Sequence, residues 1–133
     1  MNASSADPAR GAIEIVTSFL RLVEQRRLDD ASRYLAPSVE ITFPGGRRFA
    51  DLNEQVDAAN SRYRKVRKVF DGFDVLEEDG VVIVYVFGDL EGENLAGERF
   101  TSVRFIDRFE LVHGLIATHQ VWNDLGADAG HDG

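Results

Sequence analysis

The chain contains no cysteine, which excludes disulfides and thiolate zinc centres and leaves the fold to be held by its core alone. Basic residues are also in short supply, with 15 Lys and Arg against 23 Asp and Glu and a formal charge of -8. Such a surface repels phosphate backbones and anionic headgroups, so neither nucleic acid nor a membrane is an expected partner. No apolar run approaches the roughly 20 residues of a bilayer-spanning helix, and the opening MNASSADPAR lacks a basic region followed by an apolar stretch. A soluble, cytoplasmic protein is therefore expected. His113, His119 and His131 are scattered with no helical pairing, so no metal site is expected. The Gly-rich EGENLAGE stretch lacks the lysine and the strand-to-helix setting of a phosphate cradle, and no cofactor is expected.

At 133 residues and 44% hydrophobic, the chain fits one compact domain able to bury about two-thirds of its unfolded surface around a small cavity. The expected domain is residues 7–125, between small polar tails at 1–6 and 126–133 that read as mobile. Asp7-Pro8 is a helix start, and Ile13, Val16, Phe19, Leu20 and Val23 recur at three- and four-residue steps along one stripe. That helix ends in Gln25-Arg26-Arg27, whose cations complement the dipole. A short second helix is expected over Leu28 to Leu35, ended by Pro37. Val39, Ile41 and Phe43 alternate as a half-buried strand that stops at Pro44-Gly45-Gly46. Asp51 and Glu54 form a capping pair opening a third helix with Leu52, Val56, Ala59 and Tyr63, expected to end near Arg64.

Beyond Val66 the period becomes two, through Val69, Asp71, Phe73 and Val75 to a turn at Glu78-Asp79-Gly80. Val81 to Leu90 is almost continuously apolar, so both faces should be covered, one by helices and the other most simply by a partner subunit. The order α-α-β-α-β-β-β-β, with helices early and an antiparallel meander late, predicts an α+β fold with helices on one face of a curved sheet.

Phe100 to Asp124 reads as two long strands joined at His113-Gly114. Alternation places Phe105, Asp107, Phe109 and Leu111 on one face and Arg104, Ile106, Arg108 and Glu110 on the other. An acid in an aromatic row must find a partner, face a wet pocket or stay protonated. On the second strand, Ala117, His119, Val121 and Asn123 share a face. Pairing about the turn brings His119 near Asp107 to within one register step, which makes an acid-base pair or a structural hydrogen bond. Trp122 has the opposite parity and reads as an interface anchor with Arg104, Ile106 and Arg108. The basic cluster Arg62, Arg64, Lys65, Arg67 and Lys68 either attracts an anionic substrate or complements a helix end and a solvated strand.

The element order, together with FPGG at 43–46, IDRF at 106–109, the G-x-I turn exit at 114–116 and VWND at 121–124, resembles the SnoaL-like branch of the nuclear transport factor 2-like superfamily. The resemblance implies a cystatin-like cone: a curved antiparallel sheet wrapped around a long helix, with an internal pocket, often dimeric through the outer sheet face. Cones of this kind serve as isomerases, cyclases, epoxide hydrolases, dehydratases and binding proteins. Ketosteroid isomerases carry an IDHF strand whose oxyanion acid falls on Asp107, but their base and tyrosine positions fall on Phe43 and Phe19. Without that base, the resemblance does not extend to their proton shuttle. The cyclase aspartate falls on Val121, with His119 matching a histidine that commonly precedes it. Of the epoxide hydrolase Arg-x-Asp pair, only Phe87-Gly88-Asp89 stands nearby. Asp107 and His119 remain as candidate catalytic residues, with Phe19, Phe43, Tyr63, Phe105, Val121 and Asn123 as the expected ligand-binding wall. The implied ligand is a small apolar or aromatic molecule, rearranged by acid-base chemistry of isomerase, cyclase or dehydratase type. The alternative is a non-catalytic binding or scaffolding module.

Overall fold

A computed structural model describes residues 8–49, 51–60 and 63–124 of the chain. The expected tails, the Asp7 cap, Leu125 and Arg62 lie outside the described residues. Helix α1 spans Pro8–Glu24, α2 Leu28–Ser32 and α3 Leu52–Asn60. The strands are β1 Leu35–Phe43, β2 Arg47–Phe49, β3 Tyr63–Glu78, β4 Val81–Asn94, β5 Arg99–Val112 and β6 Leu115–Asn123. They form one curved, unclosed sheet in the order β2-β1-β6-β5-β4-β3, antiparallel throughout except for the parallel β1–β6 pair. The α+β cone is as the sequence implied, with one strand added: the three residues after the Pro44–Gly46 turn fold back on β1, pairing Phe43 with Arg47 and Ile41 with Phe49.

Helix α1 lies against the inner sheet face and buries Ala12, Val16, Phe19 and Leu20. Ala12, rather than Ile13, continues the stripe at its N-terminal end. The helix closes with a left-handed residue at Arg26 (φ 61°), whose N–H donates to the Val23 carbonyl while that of Arg27 donates to Leu22. This pair of bonds is a Schellman closure made without glycine. Helix α2 is shorter than expected because the Tyr34 carbonyl accepts the Ile116 N–H at 2.8 Å, which starts the β1–β6 ladder at Leu35. At α3 the Glu54 N–H donates to Asp51 Oδ1 at 3.0 Å, the expected cap. The helix stops at Asn60, and Tyr63 belongs to β3, paired with Asn94.

The β3–β4 and β5–β6 hairpins each turn on two residues with positive φ: Asp79 and Gly80 at 53° and 82°, His113 and Gly114 at 52° and 78°. That geometry matches the strand twist and is the reason a glycine closes each turn. Within β3 the expected row Val69, Asp71, Phe73 and Val75 is broken by a bulge between Phe70 and Gly72. One extra residue flips the parity, so Val66, Lys68 and Phe70 face inward before it and Phe73 and Val75 after it, while Val69 and Asp71 are exposed. On β4, Val84, Val86 and Leu90 are buried on the inner face. The Phe87 ring covers Gly72 on the outer face, so the sheet's own side chains account for part of the cover that the sequence assigned to a partner.

Candidate functional site

The inner rows of β5 and β6 meet as the alternation requires, with Phe105 opposite Asn123, Asp107 opposite Val121 and Phe109 opposite His119. His119 is thus one step diagonal to Asp107, and both are buried. His119 Nε2 lies 3.0 Å from Asp107 Oδ2. The imidazole is stacked on the Phe109 ring, centroids 4.1 Å apart and planes 12° from parallel, and meets the edge of Phe19 at 5.8 Å. Those rings fix its plane.

The third member comes from β3. The Lys68 ammonium donates to the same Oδ2 of Asp107 and lies over the Phe105 ring, 4.9 Å from its centroid. A clasp from the end of α1 holds the Lys68 backbone: its N–H donates to Glu24 Oε2 at 2.7 Å, and its carbonyl accepts from Arg21 at 3.0 Å. Arg21 and Glu24 are themselves paired at 2.8 Å.

Burial pushes the Asp107 carboxyl up, but the Lys68 charge and the His119 hydrogen bond outweigh it and hold the group below the ordinary carboxylate range. Burial, with the Lys68 charge adding to it, takes the His119 imidazole below its usual value despite the opposing pull of Asp107. The result is a carboxylate beside a neutral imidazole. A carboxylate accepts only, so Nε2 carries the proton and Nδ1 keeps a free lone pair. Among the described residues neither His119 Nδ1 nor Asp107 Oδ1 has a hydrogen-bond partner, although both are buried.

A cavity of about 350 Å³ opens beside this group, within the roughly 300–1,000 Å³ range of small-molecule sites. Phe19, Phe43, Tyr63, His119, Val121 and Asn123 line it, as do Lys68 and Gln55. One expected member of the wall stands elsewhere, Phe105 under Lys68, and the catalytic candidate Asp107 lies behind His119 and Lys68 rather than among the lining residues. Asp107 is therefore not placed or protonated to act as a neutral acid or oxyanion donor toward a molecule in the cavity. No group of three or more metal-ligating side chains occurs among the described residues, and no described helix is long and apolar enough to cross a membrane.

No protein-family model and no curated protein sequence matches the chain. Solved structures do. An NTF2-like protein of unknown function from Burkholderia pseudomallei superposes with a TM-score of 0.71 at 17% identity, covering 90% of this chain and 95% of its own. A protein assigned as a SnoaL-like polyketide cyclase from Jannaschia sp. CCS1 gives 0.66 at 19% identity, with 90% of each chain covered. TerC, co-crystallised with polyporic acid, gives 0.72 at 18% identity over 92% of this chain and 96% of its own. The chain has the fold of the SnoaL-like, NTF2-like superfamily. Within this NTF2-like cone, Lys68, which the sequence placed only in a basic cluster, and Gln55, which it did not single out, line the cavity together with Glu24, Arg26 and Arg47. Gln55 was legible as a polar residue inside the stripe Leu52, Val56 and Ala59, whereas Lys68 stood on the outward parity of the row expected for β3 and is turned inward by the bulge.

On the outer sheet face, Ile106 and Trp122 sit directly across from each other at 37% and 48% exposure. Arg104 pairs with Asp124 at 2.6 Å, and Arg108 is tied to Glu110 at 3.0 Å and to the Tyr85 hydroxyl at 3.2 Å.

Proposed function

We propose that this NTF2-like protein binds a small, largely apolar aromatic molecule in the cone cavity and moves a proton on it, with His119 as the base. The observation that carries this is the buried, unpartnered Nδ1 of a cavity-lining imidazole whose other nitrogen is held by a carboxylate. Asp107 is a positioning residue in this scheme. It fixes the tautomer and stabilises the imidazolium formed when Nδ1 accepts a proton. Lys68 keeps Asp107 ionised and brings a cation to the cavity wall, where it can face an oxyanion such as an enolate. The apolar lining from Phe19, Phe43 and Val121 excludes water from the transfer. The cyclase-named and polyporic-acid-bound neighbours support a small-molecule ligand by analogy of fold.

2-Tetralone, a small aromatic ketone with an acidic C–H beside its carbonyl, is a direct probe. Deuterium uptake in heavy water, followed by NMR, should be faster with the wild-type protein than with His119→Phe, while His113→Asn at the exposed turn behaves as wild type. Equal rates for wild type and His119→Phe would reject the base and leave a binding module. We further propose that two copies pair through the outer sheet face at Ile106 and Trp122, with Arg104 and Arg108 at the margin. Light scattering should then show a dimer at micromolar concentration that Trp122→Glu dissociates; a monomeric wild type would reject the pairing.

A further inference from the structure

Gln55 is the one polar member of the inward stripe of α3, flanked along the helix by buried Leu52 and Val56. It is 7% exposed, it lines the cavity, and its Oε1 has no hydrogen-bond partner among the described residues. An amide oxygen taken from water and left unmatched opposes folding, and a Met or Leu would fill the same space without that loss. Two residues of the cavity lining thus each hold a buried acceptor unmatched among the described residues, His119 (Nδ1) on the sheet side and Gln55 (Oε1) on the helical side, beside apolar walls from Phe19, Phe43 and Val121.

We infer that Gln55 is a specificity-determining residue: it accepts a hydrogen bond from a hydroxyl or N–H group at the end of the ligand remote from the one His119 engages. The ligand class is thereby narrowed from an apolar aromatic to a flat aromatic bearing donors at two separated positions. The inference rests on the reading of the cavity as a small-molecule site. Its physical basis is asymmetry: a site with a buried acceptor rejects an analogue that lacks the donor, because that acceptor then stays unpaired in the complex.

The test compares 2,6-dihydroxynaphthalene with 6-methoxy-2-naphthol, which keep one ring system and differ by a single donor. Fluorescence titration of the wild-type protein should show the diol bound about tenfold more tightly, the factor expected of one net hydrogen bond. Gln55→Glu retains an acceptor and should keep the preference. Gln55→Met should erase it while binding the methyl ether at least as tightly as wild type, which separates a lost donor contact from a misfolded cavity. Gln55→Met should also melt higher than wild type, since no unmatched amide is buried. A preference that survives in Gln55→Met, or is missing from the wild type, would overturn the role of Gln55. If neither naphthol binds but 2-tetralone is exchanged through His119, the two-donor class falls and the base stands; if neither probe responds, both fall.

Discussion

Lys68→Met tests the buried charge network at its least expected member. Asp107 is fully buried with its carboxyl held below the ordinary carboxylate range, and its compensating cation is an ammonium whose side chain is only 16% exposed. Removing one partner of a buried pair strands the other charge, at a cost of about 3–5 kcal/mol. The His119 N–H still donates to Oδ2, so a loss near the lower end, roughly 3 kcal/mol, is expected at pH 8. The sign of the pH dependence is diagnostic. In the wild type the Asp107 carboxyl is depressed, so its contribution is present above the unfolded value of 3.8 and is lost only as pH falls through the lower folded value. It therefore adds no slope between pH 5 and 8. With Lys68 gone, burial, the largest influence on the carboxyl, is opposed by His119 alone, and the carboxyl is expected above its unfolded value. The protonated form is then favoured by folding, and the deficit grows as pH rises through the raised value. Urea unfolding of wild type, Lys68→Met, Asp107→Asn and the double variant, at pH 5 and pH 8, closes the cycle. The double variant should recover part of the loss and show no growth of the deficit with pH. A Lys68→Met deficit below about 1 kcal/mol, the scale of an exposed ion pair, or one that is flat in pH, would refute the network.

Gly88→Ala should cost roughly 3 kcal/mol or more, because a Cβ there would lie 2.0 Å from the Val69 carbonyl oxygen at the β3 bulge; thermal unfolding reads the loss. Asp51→Ala removes the side-chain cap of α3, and chemical denaturation should show a loss of about 1 kcal/mol. The rate of 2-tetralone exchange should hold its plateau as pH falls through 6.5 and decline only below it, since the folded imidazole is depressed from that value. His119 also contributes to stability above pH 6.5, where the unfolded chain is neutral too, and that contribution is lost as pH falls.

Much of the fold was legible because periodicity reports which face is buried. The inward set Phe105, Asp107, Phe109 and Leu111 follows from alternation alone, and the Asp79-Gly80 and His113-Gly114 turns follow from the φ that a tight hairpin demands. The parallel return of β1 onto β6 was not legible, because it depends on which distant strand accepts the Ile116 N–H rather than on any local pattern. The site was half legible. His119 near Asp107 came from register, but Lys68 was hidden by a one-residue bulge that inverts the parity of β3, so a buried cation read as part of a solvated basic run. Recognising that cation also reverses the chemistry expected of Asp107. An acid alone among phenylalanines would be protonated; one shared by an ammonium and an imidazole N–H is a carboxylate.

The most direct test is long-range 1H–15N NMR of the imidazole nitrogens of His119, followed from pH 8 to 5.5 in the wild type and in Asp107→Asn. The structure requires Nε2 protonated and Nδ1 bare in the wild type, with no conversion to imidazolium as pH falls through 6.5. An Nδ1–H tautomer, or a doubly protonated ring at pH 7, would contradict the account.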